Sequence, residues 1–227
     1  MSCILGIETA TDVLSVGLVN DHKFLAEISV FGKKLHSVRL MPIIKDVLND
    51  AGVTLKNLSG IAVSTGPGSF TGIRLGVATG RTLAQVLKLP AVGIPTTLAL
   101  ATPLLASGVA VCPVIVSRRD EVYAAVYQVT GEGLNIVMPV FAAPPAETAS
   151  RLKSFEKIIL AGDGAYSFRK IYKDILGDRL LFAPEAFAHP QGAVIAELGL
   201  KEIEAGRSTD CFALRPEYLR PPAITGG

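Results

Sequence analysis

Two successive α/β halves, each a ribonuclease H-like mixed sheet with helices on its faces, are what this 227-residue chain predicts. Three observations carry that expectation. Each half begins with three short β-branched runs joined by tight turns, which makes those strands antiparallel. The strands that come later are reached through helical stretches, which makes them parallel. A buried run that passes into a Gly-x-Gly turn and then a helix occurs twice, at Gly66-Pro67-Gly68-Ser69-Phe70 and at Gly162-Asp163-Gly164-Ala165. A unit duplicated in this way is the mark of the actin and sugar-kinase class.

The first apolar run, residues 3–7, is a buried strand, and the polar stretch Glu8-Thr9-Ala10-Thr11-Asp12 turns the chain. Residues 14–19 and 24–30 form the next two strands, joined by the Asn20-Asp21-His22-Lys23 turn. A helix over 35–51 is stopped by Gly52. Residues 60–64 are a strand, the glycine-rich loop opens a long helix ending near Lys88, and residues 91–94 are a strand before Pro95 and Thr96 start another helix. The second half repeats the order: strands over 109–116, 122–129 and 134–140, a helix over 146–152 and a strand over 158–161. The division falls near Pro103 to Gly108, giving domains of 1–105 and 106–227, and the final helix over 192–205 is open to packing on either half.

Composition narrows the function. Hydrophobic residues are 49% and charged residues 19%, below the usual quarter, so burial is extensive within the fold or against a partner. A net charge of +2 with no long basic run excludes an autonomous nucleic-acid binder of the usual kind, while leaving room for a few cations on a shared RNA surface. Cys3, Cys112 and Cys211 are scattered, with neither disulfide nor zinc spacing. Glu8 and Asp12 interrupt the first apolar stretch, and no run is long enough for a membrane span. A soluble, cytoplasmic protein is expected.

The loop Thr65 to Gly72 admits two readings. Gly66 and Gly68 permit close backbone approach, and the N–H groups opening the next helix favour an anion. Glu8 would then stand beside a vestigial phosphate loop made with Gly66, Gly68 and Ser69. The structural alternative is a tight turn with Ser69 capping the helix, favoured because glycine pairs mark turns more often than phosphate sites. No Gly-Lys-Ser/Thr follows, so this is not a Walker A loop. Beyond it Gly72, Gly76 and Gly80 recur on one helix face. Each costs about 1 kcal/mol relative to alanine, so close approach of another backbone must offset it, from the protein's own sheet or from a partner helix. The first helix carries Leu40, Met41, Ile43, Ile44, Val47, Leu48 and Ala51 over about 160°, wide enough to serve a core and a partner together.

Catalytic candidates are poor. His22, His36 and His189 make no i+3 or i+4 ligand pair, so no metal, cofactor or catalytic residue is assigned. The cluster Arg118-Arg119-Asp120-Glu121 is a solvated turn or a contact for RNA or an acidic partner.

Several blocks resemble the TsaB (YeaZ) family: Ile4-Leu5-Gly6-Ile7-Glu8-Thr9-Ala10-Thr11, His36-Ser37 with Leu40-Met41-Pro42, and Thr65-Gly66-Pro67-Gly68-Ser69-Phe70-Thr71-Gly72-Ile73-Arg74-Leu75-Gly76. Further blocks are Arg118-Arg119 with Glu121-Val122-Tyr123, Gly162-Asp163-Gly164-Ala165, His189-Pro190 and Pro216-Glu217-Tyr218-Leu219-Arg220-Pro221-Pro222. They run in order over nearly the whole chain. The resemblance implies a duplicated actin-like fold and a non-catalytic subunit. Its partners would be the transferase TsaD and the ATPase TsaE, which place threonylcarbamoyl on adenosine 37 of tRNA. It also implies a homodimer when TsaD is absent, tRNA contact only through the complex, and neither membrane nor DNA as partner. TsaD-like proteins carry a metal-binding histidine pair where Thr96 and Leu100 stand here, which marks the degenerate paralogue. Two departures stand out: Glu8 replaces the family's common aspartate, and Val116-Ser117 replaces aspartate-alanine. Leu40, Met41, Ile44, Leu48, Gly72, Gly76 and Gly80 are the expected partner contacts, so Gly76→Leu should abolish docking and leave the monomer folded. The rival readings are an autonomous actin-like ATP-binding enzyme and a glycoprotease-like peptidase.

Overall fold

The computed structural model describes residues 2–219 apart from 33, 34, 119, 132 and 209. The first half contains β1 (Cys3–Glu8), β2 (Val13–Asn20), β3 (Lys23–Phe31), α1 (His36–Asp50), β4 (Leu58–Gly66), α2 (Phe70–Leu87), β5 (Ala91–Pro95) and α3 (Thr96–Ala101). The second contains β6 (Ala110–Arg118), β7 (Glu121–Thr130), β8 (Gly133–Ala143), α4 (Pro145–Arg151), β9 (Ile158–Ala161), α5 (Asp163–Ser167), α6 (Arg169–Leu176), β10 (Leu180–Phe182) and α7 (Gly192–Glu204). The first sheet runs β3-β2-β1-β4-β5 and the second β8-β7-β6-β9-β10, so both halves share one strand order. In each, the first three strands are antiparallel and the fourth and fifth parallel. This is the duplicated ribonuclease H-like fold of the actin-like class. The sequence pattern did not reveal β10, because Leu180-Leu181-Phe182 is too short for alternation to register.

Both sheets are buried on two faces, which is why β1 and β4 are nearly continuous apolar runs. On one face of the first sheet Leu5, Ile7, Ile61 and Val63 meet α1 and α2 through Leu40, Ile43, Val47, Ile73 and Val77. On the other, Ile4, Ala62, Val92 and Ile94 meet Ile195, Ala196 and Leu200 of α7. The contact with α7 is close: a Cβ at Gly6 or Gly17 would strike the α7 backbone near Gly192 and Ala193. The reciprocal helix, α3, covers the second sheet, where Leu100, Ala101 and Leu105 join Val111, Ile115, Ala125 and Tyr127. The halves therefore exchange their last helices. α1 continues through Pro42 and is apolar on the side that contains Leu40, Ile43, Ile44, Val47 and Leu48.

Candidate functional site

Between the two halves lies a cavity of about 890 Å³. Its first-half wall is the β1–β2 turn (Ala10, Thr11, Asp12) and the glycine-rich loop (Pro67, Gly68, Ser69, Phe70). Its second-half wall is the end of β6 (Val116, Ser117), Tyr123, Asp163, Tyr166, Glu185 and His189, with Glu217 and Tyr218 at the rim.

The loop is seated on the turn. The Ser69 N–H donates to the Ala10 carbonyl at 2.7 Å, and a Cβ at Gly68 would collide with that same oxygen. Ser69 caps α2, its hydroxyl accepting from the Gly72 N–H at 3.2 Å and its carbonyl from the Ile73 N–H at 2.9 Å. On the turn, the Ala10 N–H goes to Glu8 Oε1 at 2.6 Å and the Val13 N–H to Thr11 Oγ1 at 3.3 Å. The Ser69, Gly72 and Ile73 N–H groups are thus spent inside the protein. Gly66, at φ +117°, faces the Glu217 carbonyl, 2.9 Å from where a Cβ would stand.

Glu8 does not serve the cleft. It is 0% exposed and absent from the cavity wall, a correction to the phosphate-loop expectation. Its strand neighbours explain this: Glu8 pairs with Ser15 across β2, and Ser15 Oγ accepts from the Gly192 N–H at the start of α7. Burial pushes the Glu8 carboxyl up to about 7, with Ser64 and the backbone of Ala10 and Thr11 pulling the other way. Ser64 approaches outside hydrogen-bond geometry, so Glu8 Oε2 has no partner among the described residues.

On the opposite wall Asp163 accepts from the Val116 N–H at 3.0 Å and the Gly164 N–H at 2.8 Å, while burial raises its pKa. His189 is shifted down by burial, against the pull of Asp163, Asp12 and Glu185, and its buried Nδ1 has no partner among the described residues. Asp12, Asp163, Glu185 and Glu217 make the described lining carboxylate-rich, an environment that opposes a polyphosphate. Among the described residues no group of three His, Cys, Asp or Glu could hold a metal ion. No described helix is long and apolar enough to cross a membrane.

The expected partner contacts need correction. Gly72, Gly76 and Gly80 face the protein's own sheet. A Cβ at Gly72 would strike the Thr9 carbonyl, one at Gly76 the Thr9 hydroxyl, and one at Gly80 the Val63 side chain. Thr9 Oγ1 also donates to the Gly72 carbonyl at 2.8 Å. Leu40, Ile44 and Leu48 are core residues, whereas Met41 is 53% exposed. Periodicity had grouped these residues onto common faces without saying which way each face points. Arg118 ends β6 opposite Glu121, with its side chain outside what is described, and Arg119 lies outside the described residues. Sequence alone assigns no role to Asp163 and His189, and it does not show the contact of Tyr218 with Phe70. The signal available for the acid was the duplication, since Gly162-Asp163 follows β9 where Gly66-Pro67 closes β4.

Comparison with known proteins follows the same lines. A family model described as "TsaD: tRNA N6-adenosine threonylcarbamoyltransferase" matches residues 30–225. The "tRNA threonylcarbamoyladenosine biosynthesis protein TsaB" of Bacillus subtilis (strain 168) is 33% identical over 218 residues, covering 96% of this chain and 93% of the relative. The solved structure of YeaZ from Pseudomonas aeruginosa superposes with a TM-score of 0.81 at 26% identity, over 96% of this chain and all of that one. A ROK hexokinase from Thermus thermophilus shares the fold alone, at a TM-score of 0.54 and 13% identity over 90% of this chain and all of the kinase. Near-complete coverage by a curated relative, the matched family model and the shared duplicated sheets place this chain in the TsaB family, within the wider TsaD-like group.

Proposed function

We propose that this chain is a non-catalytic scaffold subunit that supports a TsaD-like transferase in placing threonylcarbamoyl on adenosine 37 of tRNA. It works in the cytoplasm alongside the ATPase TsaE, pairs with itself when the transferase is absent, and meets tRNA through the complex. The observation that carries this reading lies where β5 becomes α3. By the family resemblance, Thr96 and Leu100 stand where the transferase has its metal-binding histidines, and both are packed inside, at 0% and 2% exposure. Neither residue type ligates a metal as histidine does. The glycine-rich loop, spent on packing against Thr9 and Ala10, supports the same conclusion. The docking surface is the outward side of α1 and α2, where Val38, Met41 and Val86 stand exposed beside Ala78, Thr82 and Gln85. The glycines hold α2 against the sheet so that this side is presented.

Reconstitution tests the proposal. Transferase, TsaE, the threonylcarbamoyl-adenylate source and tRNA are combined with and without this chain, and modified adenosine is measured. Formation should depend on the chain, and the chain alone should form none. Equal yields in its presence and absence would overturn the scaffold reading.

A further inference from the structure

The C-terminal segment returns as a strap from the second half to the first, and its described residues reach α2. Leu214 is buried in the first core near Gly93, and the Glu217 N–H donates to the Thr65 carbonyl at 2.8 Å. Beyond that anchor the Tyr218 ring lies 5.1 Å from Phe70, and its hydroxyl accepts from Arg74 Nε at 2.8 Å. The Arg74 guanidinium stands 3.8 Å from the Phe70 ring and 5.8 Å from the Tyr218 ring. Before the anchor, Phe212 lies 5.9 Å from the Arg81 guanidinium. Arg74 and Arg81, seven residues apart, share one flank of α2. That flank adjoins the outward residues Ala78, Thr82 and Gln85.

The rings are held and yet open, with Phe212 55% and Tyr218 40% exposed. Side chains fixed in advance lose less rotamer freedom on binding, and arginine and aromatic residues carry much of the energy at protein interfaces. Among the described residues neither guanidinium meets a carboxylate. Two arginines that meet rings and no carboxylate among the described residues favour carboxylates on the incoming surface, whereas a second copy docking symmetrically through this patch would set arginine against arginine. The absence of a concentrated basic run argues against RNA as the occupant.

We propose that the C-terminal segment is a second docking element for the transferase subunit, with Arg74, Arg81, Phe212 and Tyr218 receiving a carboxylate-bearing helix or loop of that partner. The proposal rests on the scaffold reading above. Its test is titration of the purified transferase with the full chain carrying Phe212→Ala and Tyr218→Ala, or Arg74→Glu and Arg81→Glu, together with Met41→Asp on α1 as a separate variant. Both pairs should weaken the complex about tenfold or more without altering the isolated chain's unfolding midpoint. If a pair lowers that midpoint, Arg81→Gln decides, since it leaves the Leu214 anchor untouched. Unchanged affinity in the strap variants with loss in Met41→Asp would overturn the strap and leave the scaffold standing. No complex with the parent chain would overturn both. Loss confined to tRNA binding or to self-association would overturn the strap as a transferase site.

Discussion

Glu8 is a carboxylate kept from water on a sheet face covered by α7, with one oxygen unpartnered among the described residues. Its native pKa of about 7 lies above the ordinary 4.5. The folded chain therefore holds a proton that the unfolded chain releases. The stabilisation is complete below pH 4.5, is lost as pH rises towards about 7, and is flat above that. The difference corresponds to about 3 kcal/mol as an order of magnitude. Glu8→Gln should abolish most of this loss. Denaturant unfolding of both chains at pH 5 and pH 8 checks it, and identical pH dependence in the two would count against a buried acid. The sequence placed Glu8 in the polar turn after the first strand and could not show that it closes β1 on the face covered by α7. Ser15, its cross-strand pair, and Gly192, which donates to Ser15, become neighbours only when the last helix returns.

At the scale of elements, α2 shows how far a pattern can lead. Its four-residue glycine spacing predicted close approach of another backbone, which the structure shows at Gly72 against the Thr9 carbonyl, whereas Gly76 and Gly80 meet the side chains of Thr9 and Val63. Gly76→Leu is consequently a folding defect, not a clean docking probe. Gly72→Ala is the sharper test, because the colliding atom is the Thr9 backbone carbonyl. Overpacking there should cost about 1–3 kcal/mol and outweigh the gain of about 1 kcal/mol in helix propensity. Equilibrium unfolding at neutral pH reads the balance, and a stabilised variant would refute the close contact. The strap on the other flank of α2 was illegible for a different reason. Arg74 and Tyr218 are 144 residues apart, and no local period links them.

For the whole molecule, strand directions and the duplication were readable because turns and helical stretches are local, although β10 was not. The exchange of α3 and α7 between the sheets was not, since either sheet offers an apolar face. The exchange has a thermodynamic consequence: neither half completes its core alone. A chain of residues 1–105 lacks α7, leaving Ile4, Ala62, Val92 and Ile94 without their cover. It should fail to give a soluble folded domain. In the intact protein, amides of β1, β4 and α7 should exchange with solvent as one cooperative group. Independent melting of the two halves would contradict this.

The same exchange sets an order on biosynthesis. When β5 leaves the ribosome the first sheet is complete in strands, yet the helix that closes its second face begins at Gly192. At roughly 5–20 residues per second, that face waits on the order of ten seconds for its cover. For that interval the nascent chain carries an apolar face, with Ile4, Ala62, Val92 and Ile94 on it, that the final helix has yet to cover.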